Sequence, residues 1–251
     1  DRVYAQQEGL VFPAENALLA QQHMMNFDTT EEDLALISFK NHENAFLNPK
    51  AHFYGKKVSL EKIRNSPVVS SPFRLFDCSI SVNGAAAAVL SSDKTDIEIA
   101  GAGMATDYIM TFERESLVEM KATVESAKQA YSHSGLGPSD INIAEVHDAF
   151  TILELMAYED LGFCKKGEGS RLIRDGITKL DGRIPINTGG GLKARGHPIS
   201  PTGMAQVYEI VKQLRGEGGD RQVKNHKYGL TENKGGVGAT ITTHIFKKIG
   251  G

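Results

Sequence analysis

Apolar positions recur along this chain at helical or strand spacing, and their order predicts a fold class. In FPAENALLAQQHMMNF (12–27), Pro13 stands at a plausible first helical position, and Ala14, Ala17, Leu18, Met24 and Met25 fall on one side of the predicted helix. A second helix follows in TTEEDLALISFKNHENAF, where Thr30 and Asp33 have the spacing of a capping box. The chain turns around Asn48–Pro49 and Ser66–Pro67. SVNGAAAAVLSS (81–92) reads as a strand of small residues that would let a neighbouring layer approach closely.

Strands and helices then alternate. IEIAGAGMA (97–105) is a predicted strand. The segment 116–135 is a predicted helix, with Leu117, Met120, Val124, Ala127 and Tyr131 at helical spacing and Gly135 as its stop. A strand (141–147), a helix (151–163) and a short strand (183–187) come next. Helix 201–216 is opened by Pro201 and closed by Gly216, and KYGLTEN and ATITTHIFKK are the last two strands. This order predicts an α/β layered fold, with a mixed, mainly parallel sheet and helices on both faces. Helix 201–216 places Met204, Val207, Val211 and Leu214 on one face, with Ala205, Tyr208 and Ile210 elsewhere. It is apolar over most of its circumference, so it is expected to be buried on more than one side.

Composition narrows the functional classes. The chain has 251 residues, of which 40% are apolar and 24% charged, so a sizeable globular core is possible. A formal net charge of -3 predicts no general attraction to nucleic acid or to an anionic membrane. No apolar run is long enough to span a membrane. The two cysteines, Cys78 and Cys164, form no CxxC pair, which argues against a disulfide framework and a thiolate zinc site and favours a reducing, cytoplasmic setting. No histidines have a trusted metal-ligand spacing. The chain starts at Asp1 instead of an initiator methionine, so an upstream segment is expected.

Three stretches carry candidate chemistry. In GHPISPTG (196–203), Gly196 permits unusual backbone angles and Pro198 holds His197 extended, at the mouth of a helix. Such an imidazole can take a proton from a nucleophile. A turn histidine capped by a carbonyl fits the spacing equally well. The upstream NTGGGLKARG favours function, because consecutive glycines are costly to order unless backbone must approach something closely. In VHDAF, His147 ends a predicted strand and could donate to a carbonyl oxygen, with Asp148 fixing its tautomer, although a hydrogen-bonded strand-end histidine is the better reading of these residues alone. The loop GGVGATITT (235–243) could cradle an oxyanion on free N–H groups, or be a plain turn. GAGMAT (101–106) is not a dinucleotide fingerprint: Thr106 replaces the third glycine and no helix starts there.

Taken together, VHDAFTILELMAYEDLGFCKKGEG (146–169), INTGGGLKARGHPISPTGMAQVYEIVKQLRG (186–216) and ENKGGVGAT (232–240) resemble the thiolase superfamily. KNHENAFLNPKA (40–51) and CSISVNGAAAAVL (78–90) fit the same pattern. The likeness is to the branch of sterol-carrier-protein thiolases and archaeal acetyl-CoA acetyltransferases. It implies residues 1–77 as the loop region of an N-terminal half, 78–92 as the last strand of that half, and 93–251 as a C-terminal half. Thiolases stack two such halves with a helix layer between them, and helix 201–216 would belong to that layer.

The resemblance also implies roles. His197 would activate a cysteine nucleophile that an acyl-CoA acylates, and His147 would help form an oxyanion hole. Gly235 or Gly236 would line a second one. Ser79, Gly196 and Phe150 would contact coenzyme A. Substrates would be coenzyme A thioesters, with no cofactor or metal, and the reaction Claisen condensation or thiolysis. The family's nucleophilic cysteine matches neither Cys78 nor Cys164 and is expected from a segment outside this sequence. The family's second cysteine has no match either: Glu232, Asn233 and Lys234 stand near its place, and Ala149 occupies its alternative position. The enolate base is therefore open, with Glu232 and His147 as candidates. Expected partners are acyl-CoA, a second copy in a homodimer or homotetramer, and a hydroxymethylglutaryl-CoA synthase with a small OB-fold/zinc-ribbon protein. The rival expectation is a non-catalytic scaffold or acyl-CoA-holding subunit.

Overall fold

The computed structural model describes residue 3 and residues 6–250. α1 (Phe12–Asn26) has Pro13 in its first turn, where its missing N–H costs no hydrogen bond. Its buried residues are Glu15, Asn16, Ala17, Leu19, Ala20 and His23, while Leu18 and Met25 are exposed. The expected apolar face is thus rotated, because His23 turns inward to meet Glu159 at 3.2 Å. α2 (Glu31–Phe46) begins with the full capping box: the Thr30 hydroxyl accepts from the Asp33 N–H, and the Asp33 carboxylate accepts from the Thr30 N–H at 2.8 Å. α3 (Leu60–Arg64) and a two-stranded ribbon, β1 (Val68–Ser70) and β2 (Phe73–Arg74), follow.

Residues 82–92 do not form the expected strand. Isolated bridges join Cys78 to Phe150 and Ser81 to His197, and beyond them Val89 and Leu90 are exposed. A strand needs a partner for its backbone groups, and none lies beside this segment among the described residues.

The main sheet contains β3 (Ile97–Thr106), β4 (Ile143–Val146), β5 (Tyr228–Gly235) and β6 (Thr240–Lys248), in the order β3-β6-β5-β4. Only β4 and β5 run parallel; β3–β6 and β5–β6 are antiparallel. The expected mainly parallel sheet is therefore corrected to a mixed, mostly antiparallel one. The turn between β5 and β6 is too short for a crossover and closes a hairpin. The predicted strand at 183–187 is reduced to a bridge beside β4, with the Ala144 N–H donating to Pro185 at 3.0 Å and the Asn187 N–H to Ala144 at 2.9 Å.

Helices cover both faces of the sheet. α4 (Lys121–Ser134) starts later than its apolar spacing predicts, because the Met120 N–H leaves the helix to donate to Asp160 at 3.0 Å. A Cβ on Gly101 or Gly103 of β3 would collide with the Ala130 or Ser126 carbonyl of α4, so those glycines serve helix–sheet contact. α5 (Thr151–Asp160) is buried along its whole length, and α6 (Gly169–Arg174) packs against it. α7 (Thr202–Arg215) lies on the other face and ends at Gly216 in the left-handed region (φ 81°). Its buried side is Thr202, Gln206, Glu209, Ile210, Gln213 and Leu214, whereas Met204 and Tyr208 are exposed. The expected apolar face is thus partly on the surface, because Gln206, Glu209 and Gln213 share the buried side with Ile210 and Leu214, and find hydrogen-bond partners there.

Candidate active site

Two histidines from distant segments meet at the end of the sheet. β4 pairs with β5 through Val146 and Glu232, so His147 emerges just past the carboxyl end of β4. Its backbone N–H donates to the Glu232 carboxylate at 3.1 Å. His197 arrives on the loop before α7, and its N–H donates to Ile80 at 2.8 Å. The imidazole centroids lie 5.4 Å apart at 88°.

The two rings have different partners. His197 Nδ1 lies 2.7 Å from the Thr202 hydroxyl, which donates its one proton to the Pro198 carbonyl at 2.9 Å. The hydroxyl must then accept from Nδ1–H, so His197 Nε2 keeps its lone pair. Burial lowers the His197 pKa; Asp148 opposes this and Arg195 adds to it. Burial thus favours the uncharged ring. His147 is nearly fully buried, and its Nδ1 lies 3.3 Å from the Asn233 side-chain amide. Burial holds its pKa well below the ordinary value, reinforced by His197, Lys234, Lys193 and Arg195.

Residues 103–248 match the family model described as thiolase C-terminal domain-like. The chain belongs to the thiolase family. It is 45% identical to an acetyl-CoA acetyltransferase of Methanothermobacter thermautotrophicus, covering 99% of this chain and 66% of that protein. It is 38% identical to sterol carrier protein 2 of Rattus norvegicus, covering 89% of this chain and 43% of that one. Among solved structures, the Ltp2-ChsH2(DUF35) aldolase superposes with a TM-score of 0.86 at 27% identity, covering 98% of this chain and 66% of that one. The chain thus spans about two thirds or less of the length of these relatives.

In this thiolase chain the glycine run has a structural cause. Gly190 and Gly191 have φ of 103° and 59° and open a π-helical turn, Gly191–Arg195. A Cβ on Gly190 would lie 2.6 Å from that of Ala45 in α2, and one on Gly191 would collide with the Asp148 carboxylate. The close approach is to the protein's own α2 and HDAF segments. Gly196 has φ 113°, and a Cβ there would lie 2.7 Å from Val82.

Asp148 does not fix the His147 tautomer. Its carboxylate accepts from Leu192 N–H at 2.6 Å and Asn41 at 2.8 Å and faces the Lys193 ammonium at 3.4 Å. Glu232 is not free to act as a base. It is buried, ion-paired with Lys234, and accepts from the Thr123 hydroxyl at 3.2 Å.

Gly235 and Gly236 form the exposed tip of the β5–β6 turn, and Gly236 needs its positive φ of 61°. Gly235 lies two residues beyond Asn233, on the same side of β5. Ser79 donates its N–H to Ala149 at 2.8 Å and lines a cavity of about 770 Å³ with His42, Phe76 and Lys193. Gly196 lines a different cavity, of about 360 Å³, with Val82, Pro198 and Tyr208. Phe150 is buried and stacked on Phe73 at 5.6 Å. The structure therefore unites the histidines and separates the three expected coenzyme A contacts. Burial pushes the Cys78 thiol up to about 11 and the Cys164 thiol up to about 12, helped by Asp77 and Glu159 respectively. Neither is a poised nucleophile. Among the described residues, no cluster of three or more His, Cys, Asp or Glu side chains forms a metal site.

Sequence reasoning missed Thr202, Gln206 and Asn233. The local signal for Thr202 is its position five residues after His197, in the first turn of the helix. For Asn233 the local signal is partial, the acid and lysine on either side of it, and no local signal marks Gln206.

Proposed function

We propose that the intact protein is a thiolase-type acyl-CoA acyltransferase, catalysing Claisen condensation or thiolysis through an acyl-cysteine supplied by a segment outside this sequence. The observation that carries this is the pair of imidazoles just past the carboxyl end of β4, His197 and His147, 5.4 Å apart, with His197 Nδ1 engaged by Thr202. His197 Nε2 takes the cysteine thiol proton, and the thiolate attacks the thioester carbonyl. His147 donates to the oxyanion. The tetrahedral adduct then expels the coenzyme A thiolate, which takes the proton back from His197. Gly235 and Gly236 supply backbone N–H groups for the second oxyanion, and Ser79 and Gly196 contact coenzyme A. Loss of a proton-transfer group costs about 10²–10⁴-fold. His197→Ala in the full-length protein is therefore expected to lose thiolysis of acetoacetyl-CoA by that factor. Wild-type turnover in that variant sinks the assignment.

A second reading is a non-catalytic or partner-dependent subunit that holds acyl-CoA. Exposed Met204, Tyr208, Val89 and Leu90 favour it, since apolar surface of this kind marks contact with further protein. A cysteine that becomes acetylated by acetyl-CoA decides for the enzyme; its absence decides for the subunit. No helix among the described residues is long and apolar enough to cross a membrane.

A further inference from the structure

We propose that Asn233 is a positioning residue that holds His147 as an Nε2–H hydrogen-bond donor, through a chain whose direction is set by backbone carbonyls. Only the catalytic meaning of this rests on the thiolase reading; the tautomer itself does not.

The chain starts at groups that cannot donate. The Gln206 side-chain nitrogen lies 3.0 Å from the Glu232 carbonyl oxygen and 3.5 Å from that of Glu145. Carbonyl oxygens only accept, so the Gln206 NH2 must face them and its oxygen must face away. That oxygen lies 2.9 Å from Asn233 Nδ2, which is thereby fixed as the donor end of the Asn233 amide. Nδ2 carries two hydrogens. One goes to Gln206, and the other points to His147 Nδ1 at 3.3 Å. An amide nitrogen cannot accept, so Nδ1 must be bare, and the one proton of the neutral ring sits on Nε2.

The strand makes this possible. Side chains alternate along β5. Glu232 and Lys234 face α4, where they pair with each other and with Thr123, while Asn233 faces α7 and Gln206. The groups around His147 are His197, Lys234, Lys193 and Arg195, with Glu232 taken up by its backbone N–H. Protonation of the ring is opposed from several sides, so its tautomer decides its chemistry. The two histidines are held in complementary forms: Thr202 leaves His197 with a lone pair on Nε2, and Asn233 leaves His147 with a proton there. His147 is then a donor throughout and not the enolate base, which leaves His197 as the base of the pair.

The test is a long-range 1H–15N spectrum of the full-length protein labelled with 15N-histidine, with His147 assigned by the signal lost in His147→Gln. The expected result is a pyridine-type Nδ1 and a pyrrole-type Nε2 across neutral pH. A protonated Nδ1 overturns the proposal. This readout needs no substrate, so it can hold even where acyl transfer is not found. Asn233→Asp gives a second arm. A carboxylate accepts from Nδ1–H and strips Nε2 of its proton, so only the imidazolium can donate. The variant is expected to lose about 10²–10³-fold in kcat at mildly alkaline pH, with KM little changed, and to recover in part as pH falls. A merely structural residue would not reverse the pH profile. A folded Asn233→Asp protein with wild-type kcat and pH dependence also overturns the proposal.

Discussion

Replacing Asp148 by asparagine is expected to destabilise the protein far more than its near-identical shape suggests. The Asp148 carboxylate is fully buried and meets three donors: the Leu192 N–H at 2.6 Å, the Asn41 amide at 2.8 Å and the Lys193 ammonium at 3.4 Å. A carboxamide has one accepting oxygen, so its NH2 must confront at least one of them. The Lys193 side chain is itself fully buried, and its other contact here is the Asp148 carbonyl at 2.9 Å. Breaking a buried ion pair by removing one partner costs about 3–5 kcal/mol. Glu154 also feels the Lys193 charge, which lowers its pKa, so some compensation survives. The expected loss for Asp148→Asn is therefore near the lower end, about 3 kcal/mol. That is a large fraction of a typical stability of about 5–15 kcal/mol.

The assay is urea unfolding of the full-length protein at one pH, with Asp148→Asn, Lys193→Met and the double variant. Lys193→Met removes the stranded charge, so the double variant should be more stable than the sum of the single losses by about 1–2 kcal/mol, within the range found for contacting residues. A loss under about 1 kcal/mol for Asp148→Asn, or strict additivity, would refute the reasoning, since a buried uncompensated charge costs more than that.

Two further outcomes follow from the same region. Gly191→Ala combines a left-handed φ of 59° with a collision against the Asp148 carboxylate, and should lower the thermal midpoint sharply; Gly189→Ala, whose Cβ would lie 3.3 Å from Glu209, should be milder. Equal midpoints for the two variants would contradict the close-approach account of the glycine run. Burial raises the Glu145 pKa from 4.5 to about 7, partly opposed by Arg195. The folded state thus binds more protons than the unfolded one in that window, and this group's contribution to stability falls as pH rises through it. Glu145→Gln, which does not titrate, should flatten the urea midpoint against pH over the window; parallel curves would show that Glu145 is not the source.

What the sequence made legible was whatever local chemistry decides. The Thr30–Asp33 cap, the left-handed stops at Gly135 and Gly216 and the Pro13 start depend on residues a few positions apart, and each stands where it was expected. Strand direction was not local. Alternating elements suggested parallel pairing, but the short turn after Gly235 makes β5 and β6 a hairpin, and β3 then joins β6 antiparallel. The polar character of the buried side of α7 is not legible from hydrophobicity, for a physical reason. Gln206, Glu209 and Gln213 are polar by type yet buried, because Gln206 reaches the backbone of β4 and β5, Glu209 accepts from Thr188 at 3.1 Å and pairs with Arg221, and Gln213 donates to the Arg221 carbonyl at 2.8 Å. A burial pattern read from hydrophobicity assigns such a side to solvent.

The candidate site divides along the same line. GHP and HDAF announce their histidines, and the glycine run announces a close approach without saying to what. Its object proves to be Asp148 and Ala45, so one cause links two motifs more than forty residues apart. Asn233 lies within ENKGGVGAT, but that stretch assigns it no role. It matters because β4 and β5 are in a register that sets Val146 beside Glu232, and because alternation along β5 then turns Asn233 toward α7 and His147. The sequence does hold half of that argument: an acid and a lysine at 232 and 234 suit an ion pair on one side of a strand, which places residue 233 on the other. The missing half is which strand lies alongside, and only the folded sheet supplies it. The same logic fits the segment 82–87, whose small residues line one cavity with Pro201, Ala205 and Tyr208 of the α7 region. Small side chains there suit the close approach of the α7 region, which a bulkier segment at 82–87 would push away: a Cβ on Gly84 would already lie 2.9 Å from the Pro198 ring.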